Sequence, residues 1–202
     1  MRFDYRKTTQ VINLFAQLNG GAIGKLQVMK LIYFADRLHL RRYGRTITRD
    51  EYFAMQYGPV PSAAKEIAAL SNYLDPREHE YAARFILPAG DHKIHTVKPA
   101  DVDVFSESDE DVVREVWTKI GEPAIRRHEF DMIEVSHLFP EWKKHATAVV
   151  PGNRARMSLR DFLDDAPPEA KAFELCPLTP ERRDDLLANI DESEQVQRLL
   201  YT

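Results

Sequence analysis

The chain of 202 residues is long enough for one ordinary domain, or for one domain with an appended segment. Hydrophobic residues make up 44% of it and charged residues 30%, a balance typical of a folded protein rather than a disordered one. No apolar run approaches the roughly 20 residues that cross a bilayer, and the single cysteine, Cys176, excludes an intrachain disulfide framework. Residues 1–7 lack the apolar stretch of a secretory signal, so we expect a cytoplasmic protein without membrane partners.

The net charge of −4 is distributed unevenly along the chain. Residues 1–49 hold ten Lys and Arg against two Asp and Glu, a net charge of +8. Residues 158–202 hold five Lys and Arg against eleven Asp and Glu, a net charge of −6. Such a chain binds an oppositely charged partner, or its two ends face each other in the fold. Ordinary solvated faces produce imbalances of this size, which favours the second interpretation.

Two helices are predicted in the N-terminal quarter of the chain. The first begins at Thr8 or Thr9 and ends at residues 19–21, because an apolar stripe with the spacing i, i+3, i+4, i+7 lies between these boundaries. The second runs from about Ile23 to Arg42 and is apolar around most of its circumference, which places it in the middle of the domain. Gly44 ends this second helix.

Short strands and turns are predicted over residues 51–104. A strand is expected at residues 51–57, and the glycine and prolines of residues 57–62 force a turn before a third helix that Ser62 caps. Residues 80–87 alternate weakly and predict a strand that pairs with residues 93–98. Val102 and Val104 are expected to extend this small sheet.

The remainder of the chain reads as helical. Helices are predicted from Ser108, from Pro123, over residues 131–137, 141–145 and 158–164, and from Thr179 after a linker at residues 167–168. The fold class is therefore α+β and mainly helical, a compact helical domain around a central apolar helix with a small antiparallel sheet.

The patterns of common catalytic and metal sites fit this chain poorly. Residues 20–25 have the wrong glycine spacing for a phosphate loop and lack the Ser or Thr that follows its lysine, so they predict a tight corner between two helices. The histidines lack the convergent spacing of a zinc site. No Gly-x-Ser-x-Gly elbow occurs, and Ser136 and His137 are helix neighbours that project about 100° apart. We expect no metal, no cofactor and no catalytic residue.

Charged residues of the second helix stand out against this background. Asp36 lies on the flank of the most apolar helix, where an unpaired carboxylate is costly, so we expect a tyrosine or the backbone amides of a neighbouring turn to donate hydrogen bonds to it.

Five arginines cluster towards the end of the helix, at Arg37, Arg41, Arg42, Arg45 and Arg49. Cations favour a helix C-terminus by about 0.3–1 kcal/mol each, but five exceed what capping requires. The alternative is a docking patch for an acidic partner or for phosphates. The exposed partner-binding candidates are Arg37, Arg41, Arg42, Tyr43 and Arg45.

Three segments of the chain resemble motifs of the Panacea domain, also called the SocA-like antitoxin domain. Residues 25–36 (KLQVMKLIYFAD) resemble its first helix motif, residues 57–62 (YGPVPS) resemble its YGPV turn, and residues 134–142 (EVSHLFPEW) resemble its Ser-His and Trp helix. The three motifs occur in the family's order, and the resemblance spans roughly residues 8–150. The motif residues expected to serve the architecture are Lys25, Leu26, Lys30, Leu31, Tyr33, Asp36, Tyr57, Gly58, Pro59, Val60, Ser136, His137 and Trp142.

The resemblance implies an antitoxin of a bacterial or phage toxin–antitoxin pair. Members of the family neutralise unrelated toxins by direct protein–protein binding, and some deliver the toxin to an ATP-dependent protease, so a protease adaptor is one alternative. No catalytic residues come with the family. The resemblance also divides the chain into a Panacea-like antitoxin domain at residues 1–157 and an acidic helical extension at residues 158–202, which lacks family landmarks.

Two alternatives follow from the residues themselves. The basic N-terminal region motivates a nucleic-acid-binding regulator, although a pI near 6.0 and the absence of a helix-turn-helix pattern argue against nucleic acid as the partner. A hydrolase whose site is dispersed in sequence would show a concave pocket with convergent titratable groups. Within the antitoxin interpretation, the acidic residues 181–194 could mimic the anionic substrate of a toxin.

Overall fold

The computed structural model describes residues 3–200; the outermost residues of the two predicted domains, Met1, Arg2, Tyr201 and Thr202, lie outside this range. The first helix, α1, spans Tyr5–Leu18 and begins earlier than predicted, because the side chain of Asp4 accepts a hydrogen bond from the amide of Lys7 and caps it. Thr8 lies inside the helix, where its hydroxyl donates to the carbonyl of Asp4. The predicted cap at Thr8 or Thr9 is therefore wrong.

The central helix, α2, spans Lys25–Tyr43 and is buried along most of its length. It ends at Gly44, which has a φ of 75°, a left-handed conformation that glycine adopts without steric cost. The link from α1 to α2 contains a short strand, β1 (Ala22–Gly24), so the predicted corner also contributes to a sheet. The apolar side chains of α2 form the middle of one continuous core.

Two three-stranded antiparallel sheets flank the helices, where the sequence predicts one. The first sheet has the order β1-β5-β4, with β4 at Ile86–Pro88 and β5 at Lys93–Thr96. The strand predicted over residues 80–87 is wrong for residues 80–83, which belong to a helix, α4 (Pro76–Ala83), that Asp75 caps with a capping box. Its predicted pairing is confirmed for β4, which lies antiparallel to β5. Val102–Val104 form a 3₁₀ turn instead of extending the sheet.

The second sheet has the order β3-β2-β6, with β2 at Tyr52–Met55, β3 at Gly58–Pro61 and β6 at Ala155–Arg156. The segment predicted only as a turn is thus the edge strand of a hairpin. An edge strand tolerates two prolines because one side of its backbone needs no ladder partner. Helix α3 (Ser62–Ala68) follows directly, and the carboxylate of Asp50 caps it by accepting from the amides of Ala63 and Ala64. Ser62 is the first residue of α3 and does not cap it.

The C-terminal half is mainly helical, although the helix predicted over residues 158–164 is a 3₁₀ turn and Pro168 of the predicted linker begins another. Helix α5 (Glu107–Val116) is capped by Ser106 rather than Ser108 and continues through a π turn into α6 (Glu122–Ile125). Then come α7 (Met132–Leu138), α8 (Pro140–Lys143) and α9 (Pro180–Leu200), with 3₁₀ turns at Leu159–Leu163 and Pro168–Phe173 between α8 and α9. The fold class is confirmed as α+β, mainly helical. None of the helices in residues 3–200 combines the length and the apolar character that crossing a bilayer requires.

The segment after residue 157 packs on the central helix. Phe162, Leu163 and Ala170 are fully buried in the core cluster that contains α2. Helix α9 contributes Leu186 and Ile190 to the same core. The division into two domains at residue 157 stays a prediction, but the packing is continuous across it.

Candidate functional site

Residues of the three motifs meet where the β2–β3 hairpin crosses α2 and α7. The backbone of Gly58, at the start of β3, has a φ of 95°. A Cβ added at Gly58 would lie 2.4 Å from Ser136 Oγ and 2.7 Å from Lys30 Nζ, so the hairpin can approach the two helices this closely only with glycine. The motif residues that are far apart in sequence therefore form one interlocked contact.

Lys30 is the buried centre of this contact. Its Nζ donates a hydrogen bond of 2.9 Å to the carbonyl oxygen of Pro59 in β3. Burial lowers the pKa of Lys30 to about 7, and the negative charge of Asp131 opposes this shift. The side chain thus ties α2 to the hairpin while carrying a proton that leaves near neutral pH.

Trp142 in α8 fixes the hairpin from its other end. Its Nε1 donates a hydrogen bond of 3.0 Å to the carbonyl oxygen of Met55, the last residue of β2. The indole stacks on the ring of His137, with centroids 3.8 Å apart. Burial and the charge of Lys30 lower the pKa of His137, while Asp131 raises it. The Ser-His and Trp motif therefore serves as a clamp on the hairpin.

The remaining motif residues divide into buried and exposed groups. Leu31, Tyr33, Asp36, Pro59 and Val60 are buried. Lys25 is the first residue of α2 and is partly buried, and Leu26 is 39% exposed. Tyr57 is 56% exposed at the tip of the hairpin.

Asp36 has the partners that the sequence predicts. Its Oδ1 accepts hydrogen bonds from the amides of Ile47 at 2.7 Å and Thr48 at 3.1 Å, and its Oδ2 accepts from the hydroxyl of Tyr52 at 2.8 Å and from that of Thr48. Burial raises the pKa of Asp36, and these donors oppose the rise. The expectation of tyrosine and backbone donors is confirmed; the carboxylate orders the turn between α2 and β2.

The exposure predicted for two of the arginine candidates is wrong. Arg37 is 3% exposed and Arg41 is 1% exposed, because α2 lies in the middle of the fold and later segments cross it. Arg37 donates to Glu141 and Glu174, both at 2.8 Å. Arg41 donates to Asp165 at 2.6 Å and to the carbonyl oxygen of Cys176 at 2.7 Å. Arg37 and Arg41 therefore face carboxylates of the acidic C-terminal part of the same chain, and Arg37 also faces Glu141.

Electrostatics within this network follow from burial and pairing. Burial disfavours the charged form of Arg37, but the carboxylates of Glu141 and Glu174 outweigh it and raise its pKa. Burial and the neighbouring Arg37 lower the pKa of Arg41. Tyr33 donates a hydrogen bond of 2.7 Å to Glu141, and burial raises its pKa.

The other candidates of the cluster lie nearer the surface. Arg42 donates to Glu115, with one contact of 2.8 Å, and Arg45 lies 2.9 Å from Asp109. Tyr43 is 49% exposed. Arg49 is exposed, has a φ of 56°, and borders a cavity of about 630 Å³ between β2, residues 156–159 and α9.

A cleft of about 500 Å³ lies between α2 and the start of α7. It is lined on one side by Leu26, Gln27 and Lys30. Its opposite side brings His128 and Asp131 to the same cleft, so titratable groups do converge there. The hydroxyl of Ser136 donates to the carbonyl of Ile133 at 2.8 Å, so its proton is directed at the backbone of its own helix.

One serine lies close to a histidine ring nitrogen. Ser108 Oγ is 3.2 Å from Nε2 of the buried His39, whose Nδ1 is 2.7 Å from the carbonyl oxygen of Arg45. A carbonyl oxygen only accepts, so Nδ1 carries a proton. The Asp109 carboxylate also lies 3.1 Å from Nε2. Within residues 3–200, no three His, Cys, Asp or Glu side chains converge as a metal site would require.

A model of a known protein family matches the part of the chain that contains these contacts. The family model described as "Antitoxin SocA-like, Panacea domain" matches residues 28–143. The matched range contains α2 from Val28 onward, the β2–β3 hairpin, α7 and the whole of α8, which are the elements that interlock around Lys30 and Gly58. The chain therefore belongs to the SocA-like antitoxin, Panacea domain family. No curated protein and no solved structure gives a match to this chain.

Several residues of this site carry no local signal in the sequence. Glu141, Glu174 and Asp165, which hold the buried arginines, lie 104–137 positions away from them along the chain. The signal that could have found them is the opposite charge of the two ends of the chain. That imbalance indicates which regions attract each other, but it names no individual pair.

Proposed function

We propose that this protein is the antitoxin of a toxin–antitoxin pair and that it neutralises its cognate toxin by direct protein–protein binding, with no bond made or broken by its own side chains. The observation that carries the proposal is the family match, which covers residues 28–143 and hence the interlocked core of the fold. A toxin is the partner that this family implies in general. The proposal places the protein in the cytoplasm, where its toxin is made.

The polar groups of the site hold elements of the fold together, and this use supports a binding role. Lys30 ties α2 to the hairpin, Trp142 clamps the hairpin, and Asp36 orders a turn. Arg37 and Arg41 join the C-terminal segment to α2. Each of these contacts stabilises one rigid body, and rigidity lowers the entropic cost of binding a partner.

Genetics with the adjacent gene tests the proposal most simply. The open reading frame next to this gene is expressed alone and together with it, and colony formation is counted. The expected result is loss of colonies with the neighbour alone and recovery when both are expressed. A neighbour that is harmless alone, or one that kills equally well in the presence of this protein, would contradict the proposal.

The toxin's lifetime separates sequestration from delivery to a protease. Under sequestration, the toxin accumulates in a stable complex, and rescue persists in strains that lack individual ATP-dependent proteases. A toxin half-life that shortens when this protein is present, with rescue lost in one protease-deficient strain, would identify a protease adaptor instead. Rescue by transcriptional repression would show salt-sensitive binding to the promoter of the pair.

A further inference from the structure

One face of the second sheet is built for contact rather than for the core. Tyr52 and Ala54 of β2 point inward and are buried, whereas Phe53 and Met55 alternate to the opposite side and are only half-buried. Neither Phe53 nor Met55 belongs to the core cluster or packs against it among the described residues. Tyr57 continues beyond them at the hairpin tip and is largely exposed.

Two arginines complete this face from β6 and the residue before it. Arg156 lies directly opposite Phe53 in the antiparallel register, so the two side chains share a face. The guanidinium of Arg154 lies over the ring of Phe53, 4.4 Å from its centroid. We call the surface formed by Phe53, Met55, Tyr57, Arg154 and Arg156 the outer sheet face.

The charges of the outer sheet face are available to a partner. Arg154 has no carboxylate within ion-pair distance in the part of the chain that the structure describes. Arg156 pairs with Glu51 at 2.6 Å, but both side chains are more than half exposed, and such pairs exchange with solvent and partners at little cost. The buried Arg37 and Arg41, by contrast, have all their charge neutralised within the chain.

The backbone beneath the outer sheet face is held in place before any partner arrives. Trp142 donates to the carbonyl of Met55, and Lys30 donates to that of Pro59. Gly58, between them, packs tightly on Ser136. An exposed aromatic on a fixed turn loses little conformational entropy when it is covered, and Tyr, Phe, Met and Arg are the residue types enriched in binding hot spots and interface cores.

We propose that the outer sheet face is the surface that covers the toxin, and that it binds a toxin segment that presents a carboxylate beside an apolar side chain. The carboxylate pairs with Arg154 and Arg156, and the apolar side chain packs against Phe53, Met55 and Tyr57. Charge complementarity selects this occupant, because the face offers cations without buried carboxylates of its own. The assignment rests on the proposed antitoxin function.

Binding measurements on matched variants test it. The probe is the purified product of the adjacent open reading frame, titrated with wild type, Tyr57→Ala and Arg154→Glu, and the melting temperature of each variant is recorded. Each outer-face substitution is expected to weaken binding at least tenfold without lowering the melting temperature. Tyr73→Ala and Arg77→Glu are the controls, since both residues are exposed on other elements, and they are expected to leave the affinity within twofold.

The outcomes separate this inference from the function on which it rests. A wild-type protein that neither binds nor neutralises the probe overturns the proposed function. Tight wild-type binding that Tyr57→Ala and Arg154→Glu leave unchanged overturns the outer-face assignment alone. A wild-type dimer that Arg154→Glu converts to monomer would identify a second copy of this chain as the occupant. Salt-sensitive nucleic-acid binding that the same variant abolishes would identify phosphates, and either result also overturns the assignment.

Discussion

The arginines at the end of α2 and those of the outer sheet face are used in opposite ways. Arg37 and Arg41 are buried, and they bind carboxylates and carbonyl oxygens from residues 141–176. Arg154 is exposed and rests on an aromatic ring, with no carboxylate beside it among the described residues. A dense run of arginines in sequence therefore marks the scaffold, whereas two isolated arginines next to exposed apolar residues mark the surface left for a partner.

Removing a buried arginine has the largest expected effect on stability. Arg37→Ala leaves Glu141 and Glu174 without their shared cation, and breaking a buried ion pair costs about 3–5 kcal/mol of unfolding free energy. Urea unfolding measures the loss. The control is Arg127→Ala, since Arg127 and Glu129 form an exposed pair worth about 0–1 kcal/mol. Equal stability losses in the two variants would refute the scaffold role of Arg37.

A side chain added at Gly58, where the hairpin packs on α2 and α7, has the next largest expected effect on stability. Gly58→Ala combines a left-handed φ with a Cβ that meets Ser136 and Lys30, and we expect a loss of about 2–4 kcal/mol by the same urea assay. Gly20→Ala has a similar φ but open space, so it isolates the backbone cost of about 1–2 kcal/mol. Gly90→Ala has neither constraint and is expected to change stability by less than 0.5 kcal/mol, in line with surface substitutions generally. A Gly58→Ala loss no larger than that of Gly20→Ala would show that the contact with α2 and α7 is loose.

The buried Lys30 makes stability depend on pH. Its pKa of about 7 in the fold lies below the ordinary value of 10.5, so the unfolded chain binds more protons between these values and stability rises with pH over that window. The slope attributable to one proton is at most about 1.4 kcal/mol per pH unit. Unfolding curves at pH 7, 8 and 9 measure it, and Lys30→Met is expected to remove this contribution. A wild-type slope that persists in Lys30→Met would assign the effect to another group.

Neutralising acidic residues of α9 has the smallest expected effect, and the quantity measured is the affinity for the toxin. The triple variant Glu181→Gln, Asp184→Asn, Asp185→Asn removes exposed charges from α9 and leaves its buried contacts at Leu186 and Ile190 in place. If the outer sheet face covers the toxin, affinity for the toxin changes by less than about threefold, as expected of rim charges remote from a hot spot. A loss of tenfold or more would move the binding surface to α9 and favour substrate mimicry. Truncation from residue 168 is a poorer test, because it removes Glu174 and exposes Arg37.

The sequence predicted best what depends on local pattern. The two N-terminal helices, the glycine that ends α2, and the donors to Asp36 all follow from local spacing, the farthest donor, Tyr52, lying 16 residues from Asp36. An apolar helix makes an unpaired carboxylate costly, so a nearby turn or tyrosine was the expected solution. The sequence was less informative for residues 57–62 and 80–87, where the hydrogen-bonding partner of each segment decides between turn, strand and helix.

The sequence predicts the candidate site only in part, because the contacts that form it join segments far apart in the chain. The family resemblance singles out the motif residues, but their meeting point requires the fold, since Lys30, Gly58 and Ser136 are brought together only by tertiary packing. Arg37 and Arg41 were expected to be exposed but are buried, because the residues that pair with them lie a hundred or more positions later in the chain. Phe53 and Arg154 were not singled out at all: an isolated aromatic and an isolated arginine become a surface only when β6 pairs with β2.

The stoichiometry of neutralisation tests the central claim most directly. A fixed amount of the purified toxin is titrated with this protein, and residual toxin activity and complex formation are measured in the same samples. The account predicts that inhibition follows occupancy and is complete only when the toxin is saturated with bound antitoxin. Full inhibition at a small fraction of one antitoxin per toxin, without a lasting complex, would contradict it and would point to catalysis.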